Sequence, residues 1–444
     1  MNEQHLHRSL SLRQLIIYGM VSMSPLAPFQ VYGMVTNQSF GMAPLVYFIG
    51  MILMFFTALS YAQFSKEFLH AGSVYTFVSK GVNPHVGFVA GWTLLADYIL
   101  APGLVYSFAG LWMSGLVPGV NPVVWSLFFV LVNTIINVKG IEVNAKVNNI
   151  LFYVQLIGLV VFVGLAIKYV FVDGHGTGGF SLAPLFQPEH IDWKFFATVI
   201  SITVMGFMGF DCVSTLSEES KNPKKHIPLA TVGSLICTGL LFLVLTYVAT
   251  LAHPNHADLN EEMALFDIAK EIGGNGFFQF MIIVNVLSAG VATTLNIQSA
   301  VSRIMYAMGR DNILPFSGFF AKLHSKHDTP VNSIITAGVI STIIILVGSI
   351  PTVLMFINFG AVTSFTVLNM AVIYYFFFKK KQRGIKGFLL HVMAPMVGIL
   401  VCGYVWTGFD MLAYGAGFSW VFVGIVIGAI KSKGYKIVPK IENM

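Results

Sequence analysis

Asp97 interrupts the apolar run Trp92-Thr93-Leu94-Leu95-Ala96-Asp97-Tyr98, with Pro102 beyond it. A carboxylate at the centre of a membrane helix costs about 2.5–3.5 kcal/mol even on insertion scales, so a lone one is retained for chemistry. It can carry a proton, which desolvation helps it to hold, or neutralise a cationic ligand. The alternative is a permanently protonated acid bonded to a carbonyl near the proline. Asp211 follows Gly206-Phe207-Met208-Gly209-Phe210, where it can cap an inner half-helix or relay a proton. Glu218 and Glu219 stand beside Lys221, Lys224 and Lys225, a set that suits either a gate or a salt-bridged interfacial loop. Arg303 lies near the end of its apolar run and is expected to snorkel to the interface. Asn285, Ser288, Thr293, Thr294 and Asn296 in one run, and Asn358, Thr363 and Ser364 in another, are expected to bond between helices. A minority, Asn285 and Ser288 among them, would face a ligand.

Several chemistries are missing. The chain has no Gly-Lys dipeptide, hence no phosphate-binding loop of the kind that hydrolyses ATP, and no Gly-x-Ser-x-Gly elbow. His253 and His256 form a pair in an acidic loop rather than a set with metal spacing. Cys212, Cys237 and Cys402 all lie in apolar stretches, which argues for filler rather than a disulfide framework. An enzyme, a cofactor and a metal site are therefore not expected.

The elements that must position these groups follow from composition. Of 444 residues 56% are hydrophobic and 10% charged, against roughly 45–50% apolar and about 25% charged in soluble proteins. Such a chain lives in a lipid bilayer. A spanning helix needs about 20 mainly apolar residues, and that ruler marks twelve windows. Six lie in the first half: Leu15 to Thr36, Met42 to Phe64, Val86 to Leu116, Pro122 to Val138, Val147 to Val172 and Phe195 to Leu216. The others run Ile227 to Leu251, Phe277 to Met308, Val331 to Ile350, Val353 to Phe378, Phe388 to Phe409 and Met411 to Ile430. The runs are continuous rather than alternating, so helices rather than a barrel satisfy the backbone. The stretches Gly174 to Lys194, His253 to Gly276 and Gly309 to Pro330 are expected as loops. With twelve crossings both termini share a side, and of the 25 Lys and Arg residues only Lys168, Lys194 and Lys270 fall opposite. The positive-inside rule then places both termini in the cytoplasm. The net charge of +6 is topogenic and not a nucleic-acid signature.

Two windows look broken. The first reads Ser22-Met23-Ser24-Pro25-Leu26-Ala27-Pro28, and the sixth holds Gly206 and Gly209 three apart beside Asp211. Prolines delete N–H donors, and freed backbone is tolerated in a membrane where it lines a cavity. The two windows open two five-span blocks. Interruptions at matching positions in two halves point to the midplane site of an inverted-repeat secondary transporter; a proline kink with a small-residue packing face is the plainer reading. Twelve spans in one chain, two breaks and lone buried acids fit a solute carrier driven by an ion gradient.

Longer motifs carry a resemblance. Gly209-Phe210-Asp211, Ser214-Thr215-Leu216-Ser217-Glu218-Glu219 and Lys221-Asn222-Pro223-Lys224-Lys225-His226-Ile227-Pro228-Leu229-Ala230 resemble the span-six signature of the amino acid–polyamine–organocation (APC) superfamily. Met308-Gly309-Arg310-Asp311-Asn312-Ile313-Leu314-Pro315, Ala71-Gly72-Ser73-Val74-Tyr75-Thr76-Phe77 and Asn358-Phe359-Gly360-Ala361 look like further members of the pattern. The chain is most similar to the bacterial putrescine-importer branch, through Arg8-Ser9-Leu10-Ser11-Leu12, Asn83-Pro84-His85-Val86-Gly87-Phe88 and the segment from Asp97-Tyr98 to Pro102. The resemblance implies an all-α integral membrane protein: a LeuT-like fold of two inverted five-helix repeats, about 13–172 and 195–378, plus two extra helices at about 388–430, in one domain over 1–444. It also implies alternating access and, commonly, proton coupling in the bacterial cytoplasmic membrane.

The departures are informative. Many amino-acid carriers of the superfamily have a Gly-Ser-Gly type break in span one that binds the substrate carboxylate; Ser24-Pro25 and Ala27-Pro28 stand here instead and favour a ligand without a carboxylate, such as a diamine. Gln30 stands near where putrescine carriers are expected to have an acid, and Gln155 at the position of a span-five lysine of some proton-coupled relatives. The expected substrate site takes Ser22, Met23, Ser24, Pro25, Asp97, Tyr98, Gly206, Phe207, Met208, Gly209, Phe210, Asn285 and Ser288, with Phe207 or Phe210 closing over the substrate. Coupling or gating falls to Asp97, Asp211, Gln155, Glu218 and Glu219. The expected activity is import of a small amine or amino acid, putrescine-like polyamine with protons foremost, with an amino-acid symporter or an amino acid/amine exchanger as the alternative.

Overall fold

The computed structural model describes residues 8–191, 195, 206–261, 263–325, 327–348, 350–409 and 411–436. Among them the chain is helical throughout, apart from turns and one isolated bridge between Leu10 and Ser220. Helix α1 (Leu12–Met23) starts in a capping box: the Gln14 amide donates to Ser11 Oγ, and the Ser11 amide donates back to Gln14 Oε1 at 3.0 Å. Pro25 and Pro28 cannot extend its ladder. The chain resumes as α2 (Pro28–Gln38), bent 54° from α1.

The remaining apolar windows form α3 (Ala43–Glu67), α5 (Pro84–Leu116), α6 (Pro122–Val138) and α7 (Ile141–Ile167, prolonged by a π turn to Val172), with a short α4 (Val74–Gly81) between α3 and α5. After a 3₁₀ helix (Phe210–Glu219) come α8 (Pro223–Ala252), α9 (Ala264–Leu287), a π turn (Ser288–Thr293) and α10 (Thr294–Arg310). Helices α11 (Val331–Val347), α12 (Ile350–Val372), α13 (Ala394–Trp406) and α14 (Met411–Lys431) close the chain. Eight helical runs among the described residues are long and apolar enough to cross a membrane, and the bent α1–α2 pair passes the same test jointly. Helices α6 and α11 are shorter but equally apolar. Every expected window thus holds helix except the sixth, which is described only at residue 195 and from Gly206 onward.

One expected loop is a correction. The stretch from His253 to Gly276 contains the start of α9, which Gly274, at φ +75°, separates from the apolar remainder. Leu265, Phe266, Ile268 and Ala269 on this piece are buried, and the Phe266 ring lies 5.0 Å from Phe29 of α2 and 5.6 Å from Trp112 of α5. An amphipathic helix is therefore laid against α2, at Phe29, and the C-terminal part of α5, at Trp112.

Helix α5 is the hub, packed against α4, α6, α9, α10, α11, α12 and α14. Small residues set the distances: a Cβ on Gly360 of α12 would lie 2.9 Å from the Thr93 carbonyl, so that helix runs close beside Asp97. On the far side Trp92 and Trp420 stack at 4.7 Å and exchange indole N–H bonds to each other's carbonyls, at 2.9 and 2.8 Å, which fixes α14 to α5.

Buried amides join the rest, as the polar residues of these runs led one to expect. Asn133 donates to Thr294 Oγ1 (2.8 Å), Asn137 to Gln298, Asn144 to Asn137, and Asn148 to Asn296 Oδ1 (2.6 Å). Tyr18 Oη donates to the Asn296 carbonyl at 3.0 Å, and Asn296 Nδ2 donates back to the Tyr18 carbonyl. The network ties α1, α6, α7 and α10 together where hydrocarbon offers no competing water.

Candidate substrate site

The two interruptions meet at Gly209. Its φ is +109°, and a Cβ there would lie 2.7 Å from the Ser22 carbonyl oxygen, so only glycine satisfies both the backbone angle and the contact. On the other side of the crossing Ser24, at φ +59°, turns the chain, and its hydroxyl lies 2.8 Å from that of Ser288 at the head of the π turn. Ser22 Oγ donates to the Tyr18 carbonyl and Thr293 Oγ1 to the Val21 carbonyl.

The donors at the first break are all taken. The Ser24 amide donates to the Val21 carbonyl (3.1 Å), Leu26 to Ser24 Oγ (3.3 Å), Ala27 to the Ser24 carbonyl (2.9 Å) and Phe29 to the Leu26 carbonyl (3.0 Å), while Pro25 and Pro28 have no N–H. No bare amide from residue 24 to 29 is left to receive an anion.

Beside the crossing lies a cavity of about 130 Å³. Of the expected substrate residues, Ser22, Met23, Ser24, Asp97, Tyr98, Gly206, Met208 and Gly209 line it. Asp97 is 6% exposed and is the ionisable carboxylate among the described lining residues. Gln30 of α2, at the position noted for an acid in putrescine carriers, lines it too, and residues not anticipated complete the walls: Ala101, Leu104, Val105 and Phe108 continue up α5 from Asp97, and Val31, Ile297, Leu354 and Ile357 face them. Their signal was present as the α5 spacing 97, 101, 104, 105 and 108, one helical face. Cys212 also lines the cavity, beneath Gly209.

Other expected residues lie elsewhere. Phe207 and Phe210 are fully buried away from the cavity: Phe207 packs on Phe242 at 5.3 Å, and Phe210 between Tyr61 (5.5 Å) and Phe365 (5.8 Å). Among the described residues the aromatic rings that reach the cavity are Tyr98 and Phe108. Pro25 and Asn285 do not line it, and the Asn285 amide donates to the Met281 carbonyl of its own helix. Asp211 is not the N-cap of the 3₁₀ helix, whose cap is Gly209. It lies below the cavity and accepts from Tyr98 Oη at 2.6 Å and Tyr61 Oη at 3.2 Å. Tyr98 therefore links the cavity wall to the buried acid. Gln155 of α7 is 1% exposed, and neither its oxygen nor its nitrogen has a hydrogen-bond partner among the described residues.

The end of the bundle that carries the N-terminal segment is closed by two ion pairs. Arg303 does not snorkel: it is 5% exposed and grips Glu219 with both ends of its fork, Nε at 2.6 Å and Nη2 at 2.9 Å, while Nη1 donates to the Ser299 carbonyl. Two turns further on, Arg310 meets Glu218 at 3.1 Å, and the Ala71 amide donates to the same carboxylate at 3.0 Å. The partners of Glu218 and Glu219 are thus these arginines of α10, seven residues apart and on one face, rather than the nearby lysines. Burial alone would raise the Glu218 pKa, but the Arg310 guanidinium and the Ala71 amide hold it below the usual carboxylate range. The amides of Ser9 and Leu10 donate to the Glu219 carbonyl, and the Lys221 amide to the Leu10 carbonyl, so the N-terminal segment is strapped across the same closure. Among the described residues no group of three or more His, Cys, Asp or Glu could hold a metal ion.

With this geometry in hand, comparison with known proteins is informative. The amino acid permease family model matches residues 17–433. The low-affinity putrescine importer PlaP of Escherichia coli is 29% identical, covering 99% of this chain and 97% of its own. The branched-chain amino acid permease BcaP of Bacillus subtilis is 28% identical over 85% of this chain and 83% of its own, and the methylthioribose transporter of the same organism 25% identical over 98% and 95%. A multi-pass helical bundle with its cavity where the bent first helix pair crosses the backbone at Gly209, matched over nearly its whole length, is a transporter and not an enzyme, and the chain belongs to the amino acid permease family of the APC superfamily.

Proposed function

We propose that this protein is a secondary active importer of a small amine, putrescine or a relative of it, driven by the proton gradient across a bacterial cytoplasmic membrane. One observation carries the reading: the cavity holds a carboxylate, Asp97, while every amide at the first break is already bonded. A carboxylate attracts an ammonium and repels the α-carboxylate of an amino acid, and no free backbone amide at that break compensates the repulsion. In this reading twelve helices cross the membrane with both termini in the cytoplasm, and the two five-helix repeats, about 13–172 and 195–378, form the LeuT-like core.

The cycle follows from the parts. Substrate enters along the apolar wall of α5 and its ammonium meets Asp97, with the backbone of Ser22 to Ser24 and Gly206 to Gly209 around it. The Glu219–Arg303 and Glu218–Arg310 pairs keep the cytoplasmic end shut. Asp211 takes up a proton from the outer side as the ammonium settles on Asp97; opening breaks the two pairs, and water reaching the site weakens both holds, so amine and proton leave together for the cytoplasm and the emptied carrier returns. Asp211, bonded to Tyr98, carries the change at Asp97 to the 3₁₀ helix that ends in Glu218 and Glu219. Gln155, whose amide has room for a partner, lies on the α7 face packed against α1, where the two move past each other.

The second reading is an amino acid:proton symporter or an amino acid/amine exchanger, favoured by the branched-chain amino acid permease among the relatives. Proteoliposomes carrying an inside-alkaline pH gradient separate the two. Uptake of labelled putrescine that saturates, shows counterflow and collapses with the gradient supports amine import. Uptake of amino acids without putrescine overturns it.

A further inference from the structure

The charge on the cavity wall is unevenly placed, and this bears on the substrate in a way the family assignment does not. Asp97 sits at the lower end of the α5 face. With a rise of about 1.5 Å per residue, Ala101 is about 6 Å above it and Val105 about 12 Å. Every residue of that face above the acid is apolar: Ala101, Leu104, Val105 and Phe108. The facing wall is mostly apolar too, through Val31, Ile297, Leu354 and Ile357; its polar side chains are the neutral amide of Gln30 and the hydroxyl of Thr293, which donates to the Val21 carbonyl. The stretch 195–210 carries no ionisable side chain anywhere in its sequence. Asp211 is turned away, its Oδ2 held by two tyrosine hydroxyls.

An extended 1,4-diammonium separates its nitrogens by roughly 6 Å, from five bonds of about 1.5 Å at staggered angles. With one ammonium on Asp97, the other would stand level with Ala101, among hydrocarbon. A second charge there loses its water and meets at best the carbonyl oxygen of Gln30, which solvates without neutralising. A monoamine with a hydrocarbon body has no such penalty, and its chain fits the wall that repels the second ammonium.

We propose that this cavity prefers a substrate of net single positive charge, one ammonium at Asp97 and an apolar body along the α5 wall up to Phe108, over a diamine of the same length, and that Gln30 is the residue that sets the preference. The inference rests on the amine reading above and narrows it.

The test is calorimetric titration of the purified full-length protein with n-butylamine, 2-phenylethylamine and putrescine, together with a panel of neutral amino acids. The expected result is at least tenfold tighter binding of the two monoamines than of putrescine. Gln30→Glu, which adds a carboxylate to the facing wall, moves the putrescine-to-butylamine ratio at least tenfold toward putrescine, and Gln30→Ala does not. Putrescine binding as tight as butylamine in the unaltered protein overturns the inference while leaving amine transport standing. Binding of an amino acid and of none of the amines overturns the amine reading itself. Should Gln30→Glu fail to fold, the comparison in the unaltered protein decides alone.

Discussion

Breaking the Glu219–Arg303 pair should open the closed end of the molecule. Both side chains are almost fully buried and are joined by a two-pronged contact, with the N-terminal strap bonded to the carbonyl of Glu219 itself. Removing one partner of a buried pair costs about 3–5 kcal/mol, because the other charge is left without compensation. In an open state water hydrates the surviving charge, so part of that cost falls on the closed state alone. If only a third of it does, about 1–1.7 kcal/mol, the equilibrium moves roughly tenfold toward opening. Cys212 at the cavity floor is the reporter; of the other cysteines Cys402 is buried, and Cys237, which is exposed, is first changed to serine. An impermeant thiol reagent is applied from the terminal side of oriented vesicles. Glu219→Gln and Arg303→Met should each speed labelling of Cys212 about tenfold, and the paired change Glu219→Met with Arg303→Met should recover most of the original protection, since a neutral pair leaves no stranded charge. Unchanged labelling in both single variants that fold would refute the closure argument.

Other outcomes follow from single contacts. Gly209→Ala should abolish uptake and lower the melting temperature, because a φ of +109° in a residue with a Cβ costs about 1–3 kcal/mol and the methyl would sit 2.7 Å from the Ser22 oxygen; wild-type uptake by this variant would mean the two breaks do not meet. Tyr98→Phe removes the 2.6 Å bond to Asp211 and leaves Tyr61 as the remaining hydroxyl donor; a loss of about 1–3 kcal/mol is expected, read as a drop in melting temperature, and an unshifted melt would show that Asp211 does not depend on it. The Glu218 carboxyl is held below its ordinary value, so its contribution is present at neutral pH and lost only as pH falls through that lowered value. Glu218→Gln should therefore leave the pH profile of uptake unchanged between about pH 5.5 and 8, although it lowers stability; a profile that shifts in this range would place the pH-sensing group at the clasp.

Much of this arrangement was legible in the residues. The apolar windows, the prolines at 25 and 28, the glycines around 209 and the lone acid at 97 are local features, and they recur as helices, a 54° bend, a close crossing and a cavity wall. What escaped depends on partners distant in sequence. Arg303 near the end of an apolar run snorkels unless a carboxylate meets it inside, and that carboxylate is 84 residues away. Phe207 and Phe210 stand next to the break in sequence, but Phe207 lies in the turn before the 3₁₀ helix and Phe210 at its first position, and the turn sends their rings to Phe242 and to Tyr61 and Phe365 rather than into the cavity. The helix at the start of α9 did carry a signal, apolar residues at 265, 268, 269 and 272; it was too short for a ruler of about 20 residues. The π turn at Ser288–Thr293 has no composition of its own to announce it.

The central claim is that Asp97 receives a cationic substrate whose entry is coupled to that of a proton. The most direct measurement compares gradient-driven uptake of labelled putrescine by the unaltered protein and by Asp97→Asn in proteoliposomes. The diammonium is the suitable probe because it does not leak through the bilayer. Loss of the charge-assisted contact, about 1.5–3 kcal/mol, predicts uptake at least tenfold slower at subsaturating substrate in the variant. Undiminished, gradient-driven uptake by Asp97→Asn would contradict the account.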